Sequence, residues 1–162
     1  MKNKLSLIFG TLLLIIISSC AGYEPIFNSP TVKFKILNYS LLGNESLAKK
    51  IFNNLERISK SAETNDVNLK TVDISINVSK SKTSTLKDSS GKILEYKITL
   101  KSVVTILDFN SKNKILDQTF VSSQSYKVQN EYSETLRLEK KSIDDLINKT
   151  YQDILLRVSQ SI

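Results

Sequence analysis

The chain contains few residues of the types that carry out covalent or metal chemistry. Its 162 residues include one cysteine, Cys20, and no histidine, so the usual general base and the commonest metal ligand are missing. The adjacent carboxylates Asp144 and Asp145 fall in a helical pattern, where neighbours diverge by about 100° and do not face one site. No glycine-rich phosphate loop, nucleophile elbow or zinc-protease motif occurs. The sequence therefore argues against an enzyme and against a bound metal or cofactor, and Cys20 is the residue whose chemistry matters.

Cys20 follows a short apolar stretch near the start of the chain. Lys2 and Lys4 precede the apolar residues 5–17, a run that is shorter than the roughly 20 residues a membrane-spanning helix needs. Residues 17–20, with the sequence I-S-S-C, resemble the lipobox of bacterial lipoproteins. This resemblance implies that the Cys20 thiol receives diacylglycerol, that the chain is cut before Cys20, and that the new amine is acylated. The alternative is an uncleaved N-terminal helix in which Cys20 is incidental.

The lipobox divides the chain into three parts. We predict a signal peptide at 1–19, a lipidated tether at 20–31 that contains both prolines of the protein, and a single α/β domain at 32–162. Covalent lipid on Cys20 would be the only non-protein group. Several acyl chains, at about 0.8 kcal/mol per buried CH₂, would make a durable membrane anchor.

The charge of the chain is basic, with 23 Lys and Arg against 16 Asp and Glu. Arginine, which is preferred for bidentate phosphate recognition, occurs only at Arg57, Arg137 and Arg157. An exported, lipid-anchored protein also has little access to nucleic acid. The positive charge therefore favours contact with an anionic glycolipid surface over a nucleic-acid partner.

Hydrophobic periodicity predicts the element order β-α-β-β-β-α. The first strand covers 32–39, and a helix capped by Asn44 extends to about Lys60. Strict alternation predicts a second strand over 71–79, and two further alternating segments joined by a turn at 110–113 predict a hairpin. A long amphipathic helix follows from about Ser133 to Ser159. We expect an α+β fold in which both helices pack on one face of a four-stranded mixed sheet, with the first strand parallel to a neighbour.

The polar segment 80–92 is predicted to connect the second and third strands. Because the first strand is expected to lie parallel to the second, this connection falls at the end of the sheet distal to the tether. It is rich in hydroxyl groups and carries four lysines that could contact an acidic or phosphorylated sugar: Lys80, Lys82, Lys87 and Lys92. The alternative is a solvated connection without a ligand.

The residues after the lipobox carry a family likeness. Residues 20–27 read C-A-G-Y-E-P-I-F and resemble the signature Cys-Gly-aromatic-x-Pro-aliphatic-aromatic of the LptE family, the lipopolysaccharide-assembly lipoproteins, with Ala21 inserted between Cys and Gly. The predicted element order resembles that of the family over nearly all of 20–162. The resemblance implies a non-catalytic outer-membrane lipoprotein, anchored by its lipid and facing the periplasm. It would form the plug and assembly partner of an LptD-like β-barrel and contact lipopolysaccharide.

Two other roles stay open from the sequence. An auxiliary lipoprotein of a periplasmic lipid-trafficking transporter can share this outline, and it would bind transporter subunits instead of a barrel. A surface adhesin or enzyme is disfavoured because the chain lacks histidine and any catalytic constellation.

Overall fold

The computed structural model describes residues 34–63 and 69–161. The predicted signal peptide, Cys20, the tether, Val32 and Ile162 lie outside the described residues. The elements are β1 (Phe34–Gly43), α1 (Glu45–Glu63), β2 (Lys70–Lys87), β3 (Ile93–Asp108), β4 (Lys114–Lys127) and α2 (Tyr132–Ser161).

The four strands form one mixed sheet in the order β1-β2-β3-β4. β1 lies parallel to β2, and the pairs β2–β3 and β3–β4 are antiparallel. The predicted fold class, element order and parallel first pair are therefore confirmed.

Alternation along the strands places one face of the sheet in the core. β2 buries Val72, Ile74, Ile76 and Val78, and the even-numbered residues of β3 from Ile98 to Ile106 are buried in the same way. Both helices cover this face, α1 over β1 and β2, and α2 over β4 and β3. Their buried apolar residues complete the core; they are Leu47, Ala48, Ile51, Phe52, Leu55, Leu146, Ile147, Ile154, Leu155 and Val158. The opposite face of the sheet, which we call the open face, carries no helix of the described residues.

The turn from β1 into α1 depends on a glycine. Gly43 has a φ of +72°, and a Cβ there would lie 2.3 Å from the Val78 carbonyl oxygen, to which the Asn44 amide donates a hydrogen bond. The Asn44 side chain accepts a hydrogen bond from the Leu47 amide at 3.2 Å, which confirms the predicted helix cap.

β1 departs from its predicted pattern. It runs from Phe34, the first described residue, to Gly43, four residues past its predicted end at Tyr39, and its register with β2 shifts between Ile36 and Asn38. The extra residue reverses the alternation, because Tyr39 and Leu41 pair beside Ile74 and Ile76 on the helix-covered side. A period-two pattern read through the bulge could not give this reversal.

The predicted connection at 80–92 is wrong for most of its length. β2 continues to Lys87, so Lys80, Lys82 and Lys87 lie on a strand and only 88–92 form the turn. The Asp88 carboxylate closes this turn by accepting hydrogen bonds from the Ser90 and Lys92 amides, both at 2.9 Å. The segment lacked the apolar alternation that identifies a strand, but β3 supplies its hydrogen-bonding partner.

Candidate functional site

The long strands extend beyond β1 and form a three-stranded end of the sheet. β1 ends at Gly43 opposite Val78, while β2 and β3 stay paired as far as Lys87 and Ile93. We call residues 79–87 of β2, 93–101 of β3 and 121–127 of β4 the distal ribbon. Because β1 and β2 are parallel, the ribbon lies at the end of the sheet opposite the start of β1, as the sequence predicted for the 80–92 segment.

Lys82 is held on the helix-covered face of the ribbon. Its Nζ lies 2.5 Å from Oε2 of Glu139 on α2 and 4.2 Å from the centre of the Tyr96 ring. The Tyr126 hydroxyl donates to the same Glu139 oxygen at 2.8 Å. Lys82, Tyr96, Tyr126 and Glu139, which we call the Lys82 clamp, therefore join all three strands of the ribbon to α2.

The charges of the Lys82 clamp stabilise one another. Burial is the largest single influence and works to lower the pKa of the Lys82 ammonium, but its interactions with Glu139 and Tyr126 together outweigh burial, so the pKa is raised. Burial is also the largest single influence on the Glu139 carboxyl and works to raise its pKa, but the hydrogen bonds from Lys82 and Tyr126, with the positive charges of Lys82 and Lys80, together outweigh it and that pKa is lowered. Both groups are thus held in their charged forms, and the positive charge of Lys82 is largely compensated within the protein.

The other three lysines predicted from the sequence do not join Lys82 in one site. Lys80 is exposed on the same side of β2 and contributes to the potential at Glu139. Lys87 and Lys92 are exposed at the tip, where Lys87 pairs with Ile93 at the end of the ladder. The structure therefore spreads these four lysines over the helix-covered side and the tip of the ribbon.

The open face of the ribbon presents a different set of lysines. Lys97 lies between Thr83 and Ser125 in the strand ladder, and Lys101 lies between Ser79 and Val121. Both lysines are exposed, and their even-numbered neighbours Ile98 and Leu100 point into the core.

Lys127 adds a third exposed ammonium group to this surface, opposite Glu95. The Glu95 carboxylate accepts a hydrogen bond from Thr85 at 2.7 Å. We call Lys97, Lys101 and Lys127, with the serines and threonines beside them, the ribbon lysine surface.

The ribbon lysine surface combines point charges with hydroxyl donors. Lys97 and Lys101 stand four residues apart on one strand, which places them roughly 13 Å from each other. An ammonium group and neighbouring hydroxyls suit phosphate or carboxylate groups carried on a sugar, without fixing a bidentate geometry. Sequence reasoning missed these lysines because it concentrated on the polar segment. Alternation of Lys97 and Lys101 against the apolar Ile98 and Leu100 is the signal that could have found them.

The proximal half of the open face is balanced in charge. Asp73 accepts hydrogen bonds from Lys112 at 3.0 Å and Asn38 at 2.9 Å, and these lower its pKa, that from Lys112 most. The Asp117 carboxylate accepts hydrogen bonds from Lys114 and Thr105, and these lower its pKa, that from Lys114 most. A shallow depression of about 220 Å³ lies here, lined partly by Asn38, Asp73 and Thr105. Positive charge without a matching carboxylate is therefore greater on the distal half of this face.

The described residues contain no cluster of three or more potential metal ligands. None of the helices within 34–63 and 69–161 is both long and apolar enough to cross a membrane.

Comparison with solved structures shows that this fold occurs in other proteins. A lipoprotein B of Nitrosomonas europaea superposes with a TM-score of 0.59 at 17% identity, over 85% of this chain and 90% of that one. A protein of Caulobacter crescentus described as a lipoprotein superposes with a TM-score of 0.56 at 7% identity, over 82% of this chain and 91% of that one. A minor lipoprotein of Acinetobacter baumannii superposes with a TM-score of 0.52 at 15% identity, over 78% of this chain and 92% of that one.

These similarities establish the shared fold alone, because the identities are low. The chain matches no protein-family model and no curated protein sequence. The three solved proteins are all called lipoproteins, and each is covered almost entirely by this chain.

Proposed function

We propose that this protein is an outer-membrane lipoprotein that partners a lipopolysaccharide-translocating β-barrel of the LptD kind. In this role it is anchored through lipid on Cys20, helps the barrel assemble as its plug, and contacts lipopolysaccharide during insertion at the cell surface. The proposal is non-catalytic and needs no cofactor.

The ribbon lysine surface is the observation that carries the ligand part of this proposal. Lipopolysaccharide presents phosphate and carboxylate groups on sugars, and Lys97, Lys101 and Lys127 offer ammonium groups among hydroxyl side chains on the open face, which no described helix covers. Parallel pairing of β1 and β2 directs this surface away from the start of β1. The lipid-bearing end and the ligand-bearing end would then lie at opposite ends of the sheet.

The LptE-like residues 20–27 support the partner and the location, and the fold shared with three solved lipoproteins supports the lipid anchor. The open face supports them as well, because it mixes exposed apolar side chains such as Val121 with hydroxyl groups and carries no helix of the described residues. A surface of that composition suits the inner wall of a larger protein.

Copurification from outer membranes tests the proposed partner. The tagged full-length protein, extracted in mild detergent, should retain one large β-barrel protein and lipopolysaccharide. A matched Cys20→Ser preparation should retain neither at the same yield, because a serine hydroxyl cannot form the thioether to the lipid. Recovery of inner-membrane transporter subunits without a barrel would contradict the proposal and favour the auxiliary lipoprotein of a lipid-trafficking transporter.

A further inference from the structure

The edges of the sheet differ in how well they resist pairing with another strand. β1 is interrupted by the bulge near Leu37, and the Ile36 amide on it donates to the Ser59 hydroxyl of α1 at 3.1 Å. The part of β2 that extends beyond the end of β1 carries Lys80, Lys82 and Lys87, and its pairing with β3 contains two register shifts. Bulges, lysines and helix cover are the devices by which natural sheets prevent edge pairing.

β4 carries neither a bulge nor a lysine over most of its length, and α2 packs on its buried face. It pairs with β3 without a register shift from Leu116 to Lys127, and residues 118–126 carry no charge and no proline. No other described strand pairs with its outer side. A long, regular and uncharged edge of this kind is a template for a further strand.

The hydrogen bonds between β3 and β4 show which residues of β4 have backbone groups available for pairing with another strand. The Val128 amide donates to the Leu94 carbonyl oxygen at 2.9 Å, so Leu94 and Val128 form a closely hydrogen-bonded pair. Such pairs alternate along antiparallel strands. The even-numbered residues of β4 from Leu116 to Tyr126 therefore bond to β3, and the backbone groups of the odd-numbered residues from Asp117 to Lys127 point outward.

Charge on these odd-numbered residues selects both a partner and a register. Asp117 and Lys127 are the charged members, and they stand ten residues apart on the same face of the strand. A second β4 running antiparallel about Ser122 would place Asp117 of each copy opposite Lys127 of the other. In this register, residues whose backbone groups point outward pair with each other. A register shifted by one residue would instead pair them with residues whose backbone groups already bond to β3.

We propose that β4 pairs with β4 of a second copy of this chain, antiparallel about a two-fold axis at Ser122. The two sheets then become one continuous sheet. Val121, which is 64% exposed, faces Ser123 of the second copy beside the axis. Six closely hydrogen-bonded pairs, from Asp117 to Lys127, would add roughly twelve backbone hydrogen bonds at two per pair. This pairing does not depend on the proposed function.

Disulfide cross-linking of the full-length protein in isolated membranes tests the register. Two differently tagged forms, Val121→Cys and Ser123→Cys, are produced together and mildly oxidised. Closely bonded pairs have Cα atoms about 5.5 Å apart, within the range a disulfide spans. We expect a disulfide-linked species carrying both tags, in at least several-fold greater yield than from the control combination Val121→Cys with Ser125→Cys. Equal yields, or no linked species from either combination, would overturn the proposal.

Charge exchange provides the second arm of the test. Asp117→Lys or Lys127→Asp in both forms places like charges opposite each other twice, and each should lower the cross-linking yield several-fold. The double exchange Asp117→Lys with Lys127→Asp should restore it, because the pairing is re-formed with the signs reversed. Cross-linking yields that are unaffected by the single exchanges would refute the two-fold register. A yield from the double variant that is no higher than that from either single variant would also refute it.

Discussion

Glu139→Gln tests whether the Lys82 clamp holds the distal ribbon to α2. The variant keeps the shape of the side chain but removes the charge that faces Lys82. Exposed ion pairs contribute about 0–1 kcal/mol, whereas breaking a fully buried pair costs about 3–5 kcal/mol. The side chains of Lys82 and Glu139 are 34% and 18% exposed, so this pair lies between these limits. We expect the free energy of unfolding to fall by about 1–2 kcal/mol, or roughly 3–8 °C in Tm for a domain of this size.

The pH dependence of this loss identifies its cause. The pKa of Glu139 is lowered in the folded protein from a usual value of 4.5, so its charge stabilises the fold above that pH. The stabilisation is lost as the pH falls below 4.5 and through the folded-state pKa, because the carboxylate is then protonated in both states. The difference in Tm between wild type and Glu139→Gln should therefore shrink in acid.

Thermal melts across a pH series measure this effect. Glu134→Gln is the matched control on the same helix, since Glu134 pairs with Arg137 at an exposed site and its loss should cost less than about 0.5 kcal/mol. A double-mutant cycle with Lys82→Met should give a coupling of about 1 kcal/mol. Equal melting of the two Gln variants, or a difference that persists unchanged in acid, would refute a stabilising role for the clamp.

Three further changes have defined outcomes. Cys20→Ser should leave an unlipidated precursor, and unchanged gel mobility and membrane location would contradict the lipobox interpretation. Ile147→Asp places an unpaired charge at a side chain that is 3% exposed, so it should cost more than about 3 kcal/mol; a melt like that of wild type would show that this face of α2 is not in the core. Gly43→Ala should destabilise more than Gly91→Ala, because both have positive φ but only at Gly43 would the new Cβ meet backbone; equal unfolding free energies in denaturant would contradict this.

The sequence predicts most of the fold because its apolar residues recur at the regular intervals of strands and helices. The alternation from Val72 to Val78 and the three- and four-residue steps along α2 correspond to buried residues in the structure. Asn44 marks the start of α1 because an N-cap is a local signal that needs no tertiary context. The bulge in β1 and the full length of β2 were missed, since both are set by pairing with a neighbouring strand.

The candidate site was predicted less well, for a related reason. Lys82 was selected as a ligand contact from its place in a polar segment, yet its partner Glu139 is 57 residues away in the chain. Nothing local to Lys82 indicates that pairing. Lys97 and Lys101 share a surface with Lys127 only because β3 and β4 pair in one particular register.

Replacement of the ribbon lysine surface tests the lipopolysaccharide contact most directly. Lys97, Lys101 and Lys127 are changed together to Ser, which leaves the Lys82 clamp intact. The control changes three exposed lysines of α2, Lys140, Lys141 and Lys149, and so removes the same charge. Binding of lipopolysaccharide to the full-length proteins in detergent is then measured across a salt series, because screening weakens contacts between exposed charges. We expect the ribbon variant to bind at least several-fold more weakly and with less salt dependence than the control, with equal melting temperatures. Equal binding of the two variants at every salt concentration would contradict the proposed ligand surface.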